Sequence, residues 1–158
     1  MAKGGTIDRS PKNPLRLWLG GAMIVLGVLA VGSGVVSLLD GKSRIIAPRG
    51  QISAEIADDA GERQNGLSNR KDLAPDAGML FVFDDSSDQH CFWMKDTLIP
   101  LDMIWLDESK NVVTIRENVQ PDSYPQSFCP DRDAKYVLEV NAGRASQLGI
   151  KENVELRF

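Results

Sequence analysis

The chain has 158 residues, enough for one domain plus an appendage and too few for two ordinary domains, and its 42% apolar content excludes wholesale disorder. Charge is divided unevenly: residues 1–49 carry seven basic side chains against Asp8 and Asp40, a balance of +5, which leaves eleven basic and twenty acidic groups, −9, for the remainder. So acidic a body is repelled by phosphate backbones, which argues against nucleic-acid binding, and one histidine with two cysteines cannot supply a metal site built mainly from those ligands.

Residues 1–16 form a short basic tail. From Leu17 to Leu39 there follow 23 consecutive uncharged residues. As a helix this run is about 34 Å long, sufficient to cross a hydrocarbon core of about 30 Å. Trp18 falls at its upstream boundary, where an indole is favoured. A cleaved signal peptide is the rival reading, with Gly32 and Gly34 as small residues for a peptidase. The uncharged stretch continues through Val35, Val36, Leu38 and Leu39, which is long for a signal core and favours a retained single-span anchor. A short tail before a first span usually stays inside, so the domain is expected outside the plasma (inner) membrane, or secreted or periplasmic if the segment is cleaved. Ala30 and Gly34 could pair two such helices, but the oligomeric state stays open. Residues 40–49 read as a polar linker, and 50–158 as the extracytoplasmic domain.

Within that domain, Ile52, Ala54 and Ile56 alternate along residues 51–57, the period of a half-buried strand. Asp58 and Asp59 can cap a short helix that stops at Gly66. Residues 78–83 (GMLFVF) and 89–94 (QHCFWM) read as strands, as do 98–107 (LIPLDMIWLD) and 112–119 (VVTIRENV). A proline-punctuated loop over 120–134 precedes a strand at 136–140 (YVLEV). A second short helix, 144–148, ends at Gly149, and the last six residues read as a closing strand. About seven short strands and two short helices point to a β-rich domain, an antiparallel sandwich or small barrel, rather than an alternating parallel sheet. Cys91 and Cys129 are an even pair in a domain placed outside the cytoplasm, where a disulfide is chemically permitted; two separate thiols are the alternative.

The blocks Ala57, Glu62, Arg63, Gly66 and Leu67, then GMLFVF, FWMKDTLIPLD (92–102) and YVLEVNAG followed by LGI, resemble in order the domain-of-unknown-function family 192. Ser68 stands where methionine is expected and Asp96 where asparagine is commoner. The resemblance implies a compact, jelly-roll-like β fold and frequent export, and no established activity.

Asp102 interrupts an apolar stretch, on the strand face of Ile104 and Leu106. Burying it requires hydrogen bonds, a counter-ion or a proton. It either accepts backbone N–H groups from the Lys95–Thr97 loop or serves as an acid, base or ligand anchor in a pocket. Trp93, Lys95, Asp96 and Thr97 have the make-up of a binding rim, an aromatic platform flanked by hydrogen-bonding groups, although Trp93 could equally lie in the core. Arg63 and Glu139 are candidates for a supporting ion pair; the alternative is an exposed Glu139, which shares its strand face with Lys135 and Val137. Tyr136 lies on the opposite face of its strand and reads as core with a bonded hydroxyl. His90 has no nucleophile-elbow serine to serve. His90 and Cys91, as strand neighbours, diverge, and Met79, Met94 and Met103 read as packing, so neither a metal nor a cofactor is expected.

The leading expectation is therefore a membrane-anchored, non-catalytic module that binds an envelope glycan or protein. The alternatives are an envelope hydrolase using Asp102 as acid or base, and a structural subunit docking a membrane complex.

Overall fold

The computed structural model describes residues 41–158. The tail expected at 1–16 and the apolar span expected at 17–39 lie outside the described residues. Among the described residues no helix is long and apolar enough to cross a membrane.

The first strand, β1 (Lys42–Ala47), occupies the segment expected to be a linker. Its register with β2 (Gly50–Ala57) runs down to Ala47 opposite Gly50, a two-residue hairpin through Pro48 and Arg49. Ile45 and Ala47 are drawn inside while Lys42 and Arg44 stay exposed, so a segment rich in charge still has an apolar face. The first helix, α1 (Ala60–Asn65), starts where Asp59 accepts a bond from the Glu62 N–H at 2.8 Å and ends at Gly66, whose φ of 47° few other residues adopt.

β3 (Ala77–Ser87), β4 (Phe92–Trp93), β5 (Leu101–Leu106), β6 (Val112–Val119), β7 (Ser127–Phe128) and β8 (Ala134–Asn141) follow, then α2 (Arg144–Leu148). Six strands form one sheet in the order β1-β2-β3-β8-β5-β6. All its pairings are antiparallel except β2 with β3, which are parallel because the α1 segment crosses over between them.

The final strand expected from the sequence is reduced to isolated bridges, but these tie the sheet's two edges together. Ile46 and Arg157 exchange backbone bonds of 2.8 and 3.2 Å, Val112 N–H reaches Val154 at 2.9 Å, and Leu156 N–H reaches Lys110 at 3.0 Å. The sheet thereby closes around a core of Ile45, Ile52, Leu80, Ile104, Leu138 and Leu156, to which α2 adds Ala145 and Leu148. A second apolar cluster covers the other face, with Met79, Phe81, Met94, Met103, Trp105 and Val137 among its buried members. β5 is buried at every position, as expected of a strand covered on both faces.

The expected strand at 89–94 shortens to Phe92 and Trp93, which pair with Phe128 and Ser127 as a two-stranded ribbon apart from the main sheet. One step beyond that pairing Cys91 is bonded to Cys129 in a disulfide. The Trp105 indole N–H donates to the His90 carbonyl at 2.7 Å and fastens the ribbon's entry to β5.

Candidate ligand site

The ribbon, α1 and the outer face of β3 and β8 enclose a cavity of about 250 Å³, open to solvent. Its walls are aromatic because two alternating residues of β3, Phe81 and Phe83, point the same way and meet Phe92 from β4. The Phe81 and Phe92 rings meet edge to face at 4.7 Å. Leu67, immediately after the helix stop at Gly66, completes the apolar side, and Gln64, Asn65 and Ser68 supply polar groups.

Trp93 is 58% exposed and so does not lie in the core. It borders this cavity and also a second one of about 350 Å³, lined by Gln64, Asn65, Ser68, Asn69, Lys95 and Asp96. The indole thus borders two neighbouring hollows, whose linings also share Gln64, Asn65, Ser68 and Lys95. Lys95 borders both, Thr97 only the first and Asp96 only the second. The turn carrying them is held by its own backbone: Thr97 N–H reaches the Met94 carbonyl at 3.2 Å, and the Asp96 carbonyl accepts the Asn69 N–H at 2.7 Å. Asp96 has a φ of 55°, a conformation that aspartate and asparagine tolerate better than most residues. The Ser68 hydroxyl donates to the Lys95 carbonyl at 3.3 Å and borders both hollows.

Asp102 lies elsewhere. It is fully buried, and its partners are not the Lys95–Thr97 loop but backbone N–H groups of Asn118 at 2.9 Å, Gly143 at 3.0 Å and Ala145 at 2.9 Å. These join β5 to β6 and to the first turn of α2, whose own cap residue, Gly143, has no side chain to offer. Neither cavity beside Trp93 reaches Asp102.

The supporting pair is also rearranged. Arg63 makes no ion pair with Glu139. Its guanidinium donates to the carbonyls of Asp58 at 2.5 Å and Val82 at 2.9 Å and lies 5.3 Å from the centre of the Phe83 ring. Glu139 is 4% exposed and lines the first cavity. Burial alone pushes its carboxyl up to about 8, with no charged or hydrogen-bonding side chain among the described residues to oppose the shift. Tyr136 is on the opposite sheet face, half-buried, its ring edge to face with Phe158 at 5.2 Å, and takes no part in the site.

The aromatic walls and the amides of α1 were not singled out from the sequence. The period-two placement of Phe81 and Phe83 in GMLFVF was the available signal, together with a lone carboxyl in YVLEV. His90 stacks on Phe83 at 3.7 Å and approaches the Asp85 carbonyl, a packed histidine with no nucleophile beside it. Among the described residues no cluster of metal-ligating side chains occurs.

Fold and site define a small β domain closed on itself, with an aromatic cavity on its outer face beneath a disulfide-clamped ribbon. The chain belongs to the family DUF192, described as an uncharacterized ACR, whose model matches residues 44–158. That match begins inside β1 and so agrees with the earlier start of the domain. A search of curated proteins finds no match. Two crystal structures are similar. One, at 1.55 Å, is of a candidate transcription regulator from Sinorhizobium meliloti 1021, with 35% identity over 72% of this chain and 89% of that one and a TM-score of 0.66. The other, at 1.22 Å, is of a protein of unknown function from Novosphingobium aromaticivorans DSM 12444, with 28% identity over 74% and 85% of the two chains and a TM-score of 0.66.

Proposed function

We propose that this domain is a non-catalytic binding module of the cell envelope, held outside the membrane by the 17–39 segment, with Trp93 as its contact platform. The observation that carries this reading is a large aromatic side chain, 58% exposed, between two hollows lined with hydrogen-bonding groups. An indole left in water on a disulfide-clamped ribbon gains most from a ligand that covers it. A disulfide supports an oxidising compartment.

One consideration favours binding over hydrolysis. Asp102, the acid on which a hydrolase would have relied, has its oxygens occupied by three backbone N–H groups. The regulator description of the Sinorhizobium protein is not carried over, because a net charge of −9 over residues 50–158 opposes contact with DNA.

The test is thermal stabilisation of the full chain by panels of envelope glycans and peptides. A ligand should raise the melting temperature of the wild type. Trp93→Ala should keep the ligand-free value and bind at least tenfold more weakly, with no compound turned over. Product formation, or stabilisation indifferent to Trp93→Ala, would overturn the reading.

A further inference from the structure

From the placement of Glu139 we infer that the first cavity takes one neutral pyranose ring, held by a hydrogen bond to the Glu139 carboxyl, while the second cavity takes the next unit of the same glycan across Trp93. This names a ligand class for the binding module proposed above and rests on that reading.

A carboxyl that is 4% exposed normally has a protein partner; Glu139 has none among the described residues and borders open space. Its cross-strand neighbours are Met79 on β3 and Met103 on β5, neither able to ionise. The other ionisable groups lining the cavity are Arg63 from α1 and Lys95 from the turn after β4, since Cys91 is in the disulfide. The hydrogen-bonding capacity of the carboxyl is therefore free for whatever enters.

Size and charge narrow the choice. A cavity of about 250 Å³ holds on the order of eight waters at about 30 Å³ each, the bulk of one sugar ring and less than a drug-sized ligand needs. An ammonium ligand would meet the positive charges of Arg63 and Lys95 and would have to strip the proton from Glu139. An anion would be buried beside a carboxyl among phenylalanine rings. A neutral ring with hydroxyls on its edge and C–H groups on its faces meets neither penalty: Phe92 and the exposed Trp93 offer aromatic surface, and Glu139 offers a donor or acceptor. The second cavity shares Gln64, Asn65, Ser68, Trp93 and Lys95 with the first, so a ligand leaving one enters the other along the indole.

The experiment titrates the full chain with N-acetylglucosamine, its β-1,4 disaccharide, methyl β-glucoside and tetramethylammonium, following tryptophan emission and heat of binding from pH 6 to 9. At least one sugar should bind, and the disaccharide more tightly than its monomer. Affinity should change by a factor of three or more as Glu139 loses its proton around pH 8. Glu139→Gln should lose that pH dependence, while Glu139→Leu should bind at least tenfold more weakly. Binding of tetramethylammonium that strengthens with pH would overturn the neutral-ring assignment while leaving a binding module. Sugar binding indifferent to Glu139→Leu, or no binding by any of the three sugars, would overturn the assignment. The wider reading fails separately, through the glycan and peptide panels and Trp93→Ala.

Discussion

Asp102 and Glu139 are both carboxyl side chains set into strands that are otherwise largely apolar, and they differ in what surrounds them. Asp102 accepts three backbone N–H groups, from Asn118, Gly143 and Ala145, so each of those donors depends on it. Replacing it with asparagine puts an amide NH₂ where an acceptor is needed and turns one or more of these bonds into a clash of donors. A buried donor left unpaired costs about 1–3 kcal/mol, so Asp102→Asn should lower stability by that order and Asp102→Ala by more. Denaturant unfolding measures both, and neither variant should weaken ligand binding at temperatures where it remains folded. A stable Asp102→Asn that no longer binds would show that the residue serves the site rather than the fold. The sequence marked Asp102 as a carboxyl that had to be satisfied, and it is. It did not reveal the donors, because Asn118 and Gly143 reach it only after β6 and α2 have docked on β5. Glu139 was legible as a charge in an apolar strand but not as unpartnered, since that depends on Arg63 turning to the carbonyls of Asp58 and Val82.

At the level of elements, the ribbon of β4 and β7 is the part least able to hold itself. Two residues per strand give too few backbone bonds for independent stability, and the ribbon carries the indole that borders both hollows. The Cys91–Cys129 disulfide closes a loop with a sequence separation of 38, for which chain-entropy reasoning gives roughly 4 kcal/mol at most. Replacing both cysteines with serine, or reducing the wild type, should lower the melting temperature and release Trp93, seen as a change in its emission and weaker ligand binding. An unchanged melting temperature under reductant would mean that the packing of Phe92 and Phe128 and the Trp105–His90 bond suffice to hold the ribbon. Elements with local signals were readable in advance: the capped helix ending at Gly66, the strand at 112–119 and the helix at 144–148 occur where pattern and glycine placed them. β1 was not, because its two isoleucines sit among charges and only pairing with β2 and Arg157 shows which face is inside. The parallel pairing of β2 with β3 was equally hidden, since nothing local encodes a partner beyond a crossover.

For the whole molecule, two carboxyls with shifted proton affinity, Glu55 and Glu139, pull the pH dependence of folding in opposite directions. Glu55 is hydrogen-bonded to Arg70 at 2.6 and 2.8 Å, which lowers its affinity for a proton in the folded state. Its contribution is present above the unfolded value near 4.5 and is lost as the pH falls below it. Glu139 behaves in the reverse sense. Burial raises it from 4.5 to about 8, so between those values the unfolded chain has released a proton that the folded chain still holds. Stability contributed by the protonated form is complete below 4.5, declines as the pH rises, and is exhausted above 8. At about 1.4 kcal/mol per unit the decline amounts to several kcal/mol, a large part of the net stability of a domain this size. Folding stability of the full chain should therefore peak in mildly acid solution rather than near pH 8. Glu139→Gln, which cannot ionise, should flatten the alkaline limb and be more stable than wild type at pH 8 than at pH 5, relative to each protein's own acid value. Denaturant midpoints at half-unit intervals from pH 4 to 9 measure this directly. A wild type as stable at pH 8 as at pH 5, with the glutamine variant tracing the same curve, would mean that cavity water hydrates the Glu139 carboxylate in the folded protein.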